Sequence, residues 1–432
     1  MKKLHRTMAL LTATLVALTG LWAGTTAGAA PPPYDPIRSW NEQALATVRS
    51  KVASDAQAAR LYAMVNIAIY DAVNGIATAD KEHDARSHVL VPATGAPRHA
   101  NRYAAATSAA YAVLSGEYSD LTATRYEPLR TAEMATLDPG KKTDEGADWG
   151  AEVGAAVVSA RNNDGSTPNE SQAGNPGTGQ FRASWSGVQF RYLTPFGIED
   201  SSVYLGEGPP AVGSLDYAGA YANVKIIGNG GLTDQPKLDT FRFWSLGGGT
   251  SQPPGGWIQV ALSVTEAEPP SLEDGSRLFA LVSMAMADTV APTYMTKYVY
   301  HHWRPSTAIR EDDGNPLTET DSSWLHRSGG SIGSSPEYWS GHSSFSAAAA
   351  EALAGFFGRD RMTFSLVTDS APKDAALQPI PRTYNSFSEA AAEAGRSREV
   401  GGIHFSFSNQ DGLAAGRAIA MEILGSEFQL LK

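Results

Sequence analysis

The sequence predicts an all-α fold made of two helical halves with long loops between and across them. Several stretches carry apolar residues at helical spacing, loops rich in Gly, Pro, Asn and Ser separate them, and no series of alternating strands is visible. The chain has 432 residues and 42% hydrophobic content, enough for one large domain or two medium ones. We therefore expect packed helices to form the core.

The first half is predicted over residues 36–200. Apolar side chains recur at three- and four-residue intervals along residues 40–78, as on one face of an amphipathic helix. The Ala-rich stretches 102–114 and 148–161 are also typical of helices. Turn-forming residues predict loops at residues 162–187 and 194–213.

The second half is predicted over residues 201–432. The stretch GGGTSQPPGG at residues 247–256 is expected to be irregular because Gly and Pro dominate it. Helical spacing of apolar residues returns after it. Helices are predicted at residues 257–265, 278–302, 343–357 and 412–424.

The N-terminus has the pattern of a secretory signal. Lys2, Lys3 and Arg6 precede a short apolar stretch, and an A-G-A cleavage site ends at Ala29 before Pro-rich sequence. We expect residues 1–29 to be a removed signal peptide and the protein to be secreted; the alternative for this segment is a membrane anchor. No later stretch is expected to span a bilayer.

Charge and cysteine content limit the classes of function. The net charge of -11 argues against nonspecific nucleic-acid binding. The absence of Cys excludes disulfides, thiolate metal sites and a cysteine nucleophile. Any anion site must therefore rest on a local cluster of cations.

Three short segments of the second half offer such a cluster. They are KYVYHHWRP at residues 297–305, SGH at residues 340–342 and SREVGGIH at residues 397–404. Together they supply Lys, Arg and His side chains, a hydroxyl and glycine amides. Such a set can surround a tetrahedral oxyanion and supply both a nucleophilic or ligating imidazole and a proton donor.

The first segment carries Lys297 and Arg304, seven residues apart. On one continuous helix the two side chains would leave the same face about 10 Å apart along the axis, and Pro305 would end the helix. Both could then reach one anion. A solvated helix face is the alternative for an isolated pair of this kind.

The other two segments place imidazoles beside glycines. Ser340 is expected to N-cap the Ala-rich helix, Gly341 lets an anion approach the backbone, and His342 lies in the first turn, placed to give or take a proton. Arg398 and His404 are six residues apart, which is not one helix face, but the glycine pair between them can turn both towards one site. Taken singly, the segment at residues 340–342 is explained as well by an ordinary helix cap with an incidental His. The segment at residues 397–404 is explained as well by a surface arginine and a histidine whose hydrogen bonds are made within the fold.

The adjacent His301 and His302 suggest zinc at first sight. Neighbouring residues on a helix point apart, however, and the sequence contains no H-E-x-x-H motif. We expect His302 and Trp303 to pack in the core, with lining of the oxyanion pocket as the alternative.

The order and spacing of the three segments resemble the signature shared by vanadium-dependent haloperoxidases and type-2 phosphatidic-acid phosphatases. That signature is K-x6-R-P, then P-S-G-H, then S-R-x5-H-x3-D, and the intervening lengths also fit. The resemblance implies the helical-bundle architecture of this superfamily. It extends to flanking sequence at residues 40–76, 243–257, 285–310, 336–353 and 386–416.

For a haloperoxidase, the resemblance implies vanadate as the cofactor and hydrogen peroxide and halide as the substrates, giving hypohalous acid. His404 would ligate the vanadium, His342 would be the acid–base group, and Lys297 would polarise the bound peroxide. The residues implied to hold vanadate are Lys297, Arg304, Ser340, Gly341, Arg398 and His404.

The same residues imply a second function, because vanadate resembles phosphate in shape and charge. In an acid phosphatase, His404 would attack a phosphate monoester to give a phosphohistidine, and His342 would protonate the leaving group. The wider resemblance favours the haloperoxidase. A third hypothesis is an inactive anion-binding protein of the cell envelope.

Three positions depart from the signature or from its relatives. Trp339 replaces the signature Pro, and Ser408 replaces the Asp that follows the last His. Leu246 stands where relatives often carry an acid. If that acid normally pairs with a site arginine, Glu399 or Asp411 is the candidate replacement here. The resemblance therefore implies altered support around an otherwise complete set of site residues.

Overall fold

The structure is a computed structural model and describes residues 34–329 and 333–430. The predicted signal peptide at residues 1–29 lies outside the described residues. The described chain is mostly helical, which confirms the predicted all-α class. Residues from Tyr34 onwards group as one compact unit, and the division at residue 200 stays a prediction.

Five α-helices occupy the first predicted half in the described residues. Where one helix was expected over residues 40–78, the structure has two. Val52 has a left-handed backbone that ends the first helix, and a capping box between Ser54 and Gln57 starts the second. The helices are α1 (Pro36–Lys51), α2 (Asp55–Ala79), α3 (Arg102–Glu117), α4 (Glu127–Met134) and α5 (Lys141–Ala160).

The described part of the second half holds the remaining helices. They are α6 (Leu215–Ile227), α7 (Gln235–Phe243), α8 (Gln252–Ala267), α9 (Leu272–Asp288), α10 (Val290–Tyr300), α11 (Pro305–Arg310), α12 (Gly341–Phe357), α13 (Phe387–Val400) and α14 (Ser406–Ser426). The described residues also contain two short antiparallel pairs: β1 (Ser171–Gln172) with β2 (Trp185–Ser186) in the first half, and β3 (Phe364–Leu366) with β4 (Arg382–Tyr384) in the second.

Two predicted boundaries in this half were wrong. Residues 252–256, expected to be irregular, form the first turn of α8, because proline is tolerated where the amide has no helical partner. The expected helix over residues 278–302 divides at Thr289 and ends at Tyr300, because His301 adopts a left-handed backbone.

The core lies around α2, α9 and α12. Nearly every residue of α2 is buried, and this helix packs against α3 and α9. Close contact of α14 with α12 depends on Gly416, since a Cβ there would lie 2.1 Å from the carbonyl oxygen of Ser344. The absence of a side chain at Gly416 lets α14 pack directly on α12. The N-terminal ends of the two helices therefore lie side by side.

One helical stretch of the described residues, Leu272–Tyr300, is long and apolar enough to cross a membrane by length and composition. This corrects the expectation that no later stretch would qualify. Within the fold, 89% of its most apolar window is buried, as in the central helix of a packed core.

Candidate oxyanion site

The ends of helices α10 to α14 converge and bring the predicted site residues into one group. Buried cations, imidazoles and the first turn of α12 face one another there. Arg304 contacts the His404 ring directly. Burial is the largest cause of the lowered pKa of His404, and Arg304, Lys297, Arg398 and His342 also lower it. The predicted residues in this group are Lys297, Arg304, Ser340, Gly341, His342, Arg398 and His404.

The predicted placement of Lys297 and Arg304 on one helix was wrong. Lys297 lies in the last turn of α10, whereas Arg304 has an extended backbone and is the N-cap of α11. Pro305 begins α11 and does not end the preceding helix, in keeping with the preference of proline for the first helical position. The two cations still meet, because both donate to the carbonyl of Pro336, at 2.6 Å and 3.3 Å.

Backbone carbonyls of residues 335–337 orient these two cations. Arg304 donates from Nε and Nη2 to the Ser335 carbonyl at 3.0 Å and 2.8 Å, and from Nη1 to the Ile403 carbonyl at 2.9 Å. Lys297 Nζ also donates to the Glu337 carbonyl at 3.2 Å. Neutral carbonyls orient the cations but leave their charge uncompensated.

The hydrogen bonds of His404 define its tautomer. Arg304 Nη1 lies 2.9 Å from Nε2, and an arginine can only donate, so Nε2 carries a lone pair. Nδ1 lies 2.8 Å from Oε1 of the fully buried Glu337 and therefore carries the proton. The lone pair of His404 consequently lies on the side of the cations.

Sequence reasoning missed Glu337. The available signal was an acid within the otherwise aromatic and small segment PEYWSGH, three residues before Ser340. Burial raises the pKa of Glu337, while the neighbouring Arg304 lowers it. The serine expected to weaken support for His404, Ser408, also contacts Nδ1, at 3.2 Å from its Oγ.

The backbone carbonyl of Trp244 is a shared acceptor for Arg398 and His342. It accepts a hydrogen bond from Arg398 Nη1 at 3.4 Å and one from the His342 ring. The suggested acidic partners of Arg398 were wrong: Glu399 binds Asn409 and other side chains of its surroundings, and Asp411 accepts from Tyr338. Leu246, at the position where the resemblance implies an acid, is buried and offers Arg398 no charge.

The first turn of α12 provides the predicted cap and open amide. The Ser340 side chain accepts from the Ser343 amide at 3.3 Å, and the Ser340 amide donates to the Ser408 carbonyl at 3.2 Å. Trp339, the departure just before the cap, is buried and donates from Nε1 to Thr293 Oγ1 at 2.9 Å. The altered residue therefore packs within the protein and leaves the cap in place.

Asp55 belongs to the border of the site and was not predicted. It is the first residue of α2, and its Oδ2 would lie 3.7 Å from a Cβ built on Gly341. The Tyr294 hydroxyl donates to the other carboxylate oxygen at 2.9 Å. The first half of the chain thus contributes a carboxylate beside the α12 amides.

The electrostatics of the group favour an added anion. Burial is the largest cause of the lowered pKa values of Lys297, Arg304 and Arg398, and repulsion from Arg304 adds to it for the other two. The three buried cations are accompanied by two nearby carboxylates, those of Glu337 and Asp55, so positive charge is in excess. Buried charge without a counter-charge is costly, and an oxyanion would supply one.

Two unpartnered polar atoms also indicate that an anion binds here. Among the described residues, Arg398 Nε and His342 Nε2 are buried and have no hydrogen-bond partner. Buried polar atoms are almost always paired in folded proteins. Arg398 Nε is a donor and needs an acceptor oxygen, whereas His342 Nε2 is the bare nitrogen of a ring that donates to the Trp244 carbonyl, so it can accept a hydrogen bond from a hydroxyl of the ligand. A tetrahedral oxyanion beside His404 Nε2 would meet both needs, and the residues present therefore fit vanadate or phosphate.

His302 packs in an aromatic cluster with Tyr217, Phe405 and Phe407, in line with the expected core role. Burial lowers its pKa to about 3. The stability that neutral His302 contributes is therefore present above its unfolded pKa of about 6.5 and is lost as pH falls towards 3.

Replacing His302 with phenylalanine is expected to make folding less sensitive to acid. Wild type should lose ~2 kcal/mol from this residue between pH 7.5 and pH 5, and the variant should not. Urea denaturation of both proteins at the two pH values measures the difference. Equal pH dependence would contradict a buried neutral His302.

Comparison with known proteins gives one family match. Residues 277–431 match the family model described as the VCPO second helical-bundle domain. This range includes every predicted site residue. No curated protein sequence matches the chain.

The fold is also similar to solved structures. One is the first bacterial vanadium-dependent iodoperoxidase, with a TM-score of 0.74, 20% identity and coverage of 92% of this chain and 97% of that one. The holo-type bacterial vanadium-dependent chloroperoxidase has a TM-score of 0.64, with 16% identity and coverage of 86% and 92%. Its apo-type counterpart has a TM-score of 0.61, with 16% identity and coverage of 85% and 92%.

Proposed function

We propose that this chain, whose residues 277–431 place it in the vanadium haloperoxidase family, oxidises halide with hydrogen peroxide to hypohalous acid. The observation that carries the proposal is the lone pair of His404 Nε2, which faces Arg304 in a group of three buried cations that outnumber the nearby carboxylates of Glu337 and Asp55. The match of residues 277–431 to the VCPO second helical-bundle domain supports the family predicted from the sequence. The activity is the proposal.

Vanadate is the anion that this group would hold. When bound, it would supply the electrophilic activation of hydrogen peroxide. Lys297, Arg304 and Arg398 would neutralise its oxygens, the Ser340 hydroxyl and Gly341 amide would donate hydrogen bonds, and His404 Nε2 would ligate the metal. These donors are fixed by the fold before any ligand arrives, which is the property that electrostatic catalysis requires.

His342 would supply the proton that halide oxidation consumes. Oxidation of a halide ion by hydrogen peroxide consumes one proton and yields hypohalous acid and water: the halide loses two electrons and the peroxide bond is cleaved. The Nε2 atom of His342 is unpartnered, while its other ring nitrogen donates to the Trp244 carbonyl. That arrangement fixes the ring and leaves one nitrogen to accept and release a proton.

A phosphatase remains the second candidate, because the tautomer of His404 also suits a nucleophile. A lone pair on Nε2 beside buried cations could attack a phosphate monoester, with His342 protonating the leaving group. The third candidate, an inactive anion-binding protein, requires the same cations but no proton transfer. We also propose secretion, on the signal-like residues 1–29.

Parallel assays separate these candidates. Purified protein loaded with orthovanadate is assayed for peroxide-dependent halogenation of a phenolic dye with chloride, bromide and iodide in turn. Vanadate-free protein is assayed with p-nitrophenyl phosphate. We expect halogenation that depends on vanadate with at least one halide. Phosphate ester hydrolysis without any halogenation would support the phosphatase, and the absence of both would support an anion-binding protein.

A further inference from the structure

Glu337 lies at the centre of the contacts that support His404. Its side chain is fully buried. Oε1 accepts hydrogen bonds from His404 Nδ1 at 2.8 Å and from the Phe405 amide at 3.0 Å. One carboxylate oxygen therefore binds both the ring and the backbone that follows it, which limits rotation of the imidazole.

The backbone of Glu337 is itself tightly held. Its amide donates to the His302 carbonyl at 2.9 Å, and its carbonyl accepts from Lys297 Nζ at 3.2 Å and Ser408 Oγ at 3.4 Å. The carboxylate thus extends from a fixed point in the wall of the site. A side chain anchored in this way can set the orientation of its partner.

Ser408 is the weaker neighbour of His404 Nδ1. Its Oγ lies at 3.2 Å, against 2.8 Å for Glu337 Oε1, and a hydroxyl carries no charge. Hydrogen bonds to a carboxylate are about twice as strong as those between neutral groups. The acid expected four residues after the last His of the signature is absent, but an acid is still present at Nδ1, from another segment.

We propose that Glu337 is the positioning residue of His404, keeping the proton on Nδ1 and the lone pair on Nε2, a task relocated from position 408 to position 337. This inference deepens the proposed function, because it names what holds the ligating imidazole. The same geometry would orient a nucleophile equally well, so it does not depend on which oxyanion binds.

Charge removal at Glu337 is the first part of the test. Glu337→Gln keeps the size of the side chain but weakens the acceptor. We expect affinity for orthovanadate, and for inorganic phosphate as a second probe, to fall ~10–100-fold by calorimetry. Long-range imidazole proton–nitrogen spectra of the ligand-free protein should show a single Nδ1–H tautomer for wild-type His404 and a mixture in the variant.

The second part of the test restores an acid near His404 Nδ1. It distinguishes a positioning role of Glu337 from a role in packing alone. The double variant Glu337→Gln with Ser408→Asp returns an acid to the neighbourhood of Nδ1 from α14. We expect it to recover anion affinity to within about fivefold of wild type and to restore the single tautomer. Ser408→Ala is the matched control, because it removes only the weaker contact, and should change affinity less than threefold.

Two outcomes would overturn the proposal. One is a wild-type tautomer and unchanged anion affinity in Glu337→Gln; the other is a folded double variant that recovers neither. If Glu337→Gln does not fold, Glu337→Asp serves instead, since it keeps the charge, shortens the reach and should give the same mixed tautomer. Halide oxidation is a separate readout: its absence in wild type, with the tautomer shift intact, would reject the haloperoxidase and leave this inference standing.

Discussion

Replacing His404 with alanine is expected to reduce vanadate-dependent halide oxidation on the order of 10³-fold or more. The change removes the nitrogen lone pair that the fold directs at Arg304 and its neighbouring cations. Initial rates of dye halogenation at saturating peroxide measure the loss. If the protein is instead a phosphatase, the same variant should lose phosphate ester hydrolysis, because the same nitrogen would be the nucleophile.

A stability measurement accompanies that experiment. His404→Ala leaves Glu337 and Arg304 each without one buried partner, at a cost of ~1–3 kcal/mol in free energy of unfolding. His302→Phe is the matched control, since it alters a nearby buried imidazole outside the oxyanion group and should retain activity. Halogenation by folded His404→Ala within tenfold of wild type would contradict the role assigned to this residue.

Replacing Arg398 with methionine is expected to lower affinity for vanadate ~10²–10³-fold while raising the stability of the ligand-free protein by about 1 kcal/mol. The guanidinium is buried, its Nε has no partner, and its one protein hydrogen bond among the described residues is a long one to the Trp244 carbonyl. Methionine keeps much of the packing against Phe241 and removes the uncompensated charge. Calorimetric titration and urea denaturation give the two quantities.

Arg327 provides the matched control for that variant. It is also a buried arginine, but its guanidinium donates to the carbonyls of Val400, Leu232 and Ile227 at 3.2, 2.8 and 3.2 Å. Arg327→Met should therefore destabilise the fold by ~1–3 kcal/mol and leave the vanadate affinity of the folded protein nearly unchanged. A destabilised Arg398→Met protein that binds vanadate like wild type would contradict an uncompensated, anion-binding charge at Arg398.

Local signals in the sequence predicted part of the site correctly. Ser340 precedes an Ala-rich helix and caps it, as its residue type favours. Gly402 has a positive φ of 75° just after α13, so the turn between Arg398 and His404 forms where glycine allows it. Each of these features depends on neighbours within a few residues, which a single sequence displays.

Other parts of the site depend on contacts between distant segments. The left-handed backbone of His301 separates Lys297 from Arg304, and a non-glycine residue gives little warning of that conformation. The Trp244 carbonyl that binds Arg398 and His342 has no signature in sequence, since every residue carries a carbonyl. Glu337 reaches a histidine 67 positions away, a pairing between the segments that lead into α12 and α14.

The most direct test of a buried oxyanion site at His404 is a calorimetric titration of orthovanadate into the purified protein, repeated with His404→Ala and with excess inorganic phosphate present. We expect one site per chain, an affinity at least ~10²-fold weaker in His404→Ala, and competition by phosphate for the same site. Absence of stoichiometric binding to wild type, or equal binding by the variant, would contradict a buried oxyanion site built around His404.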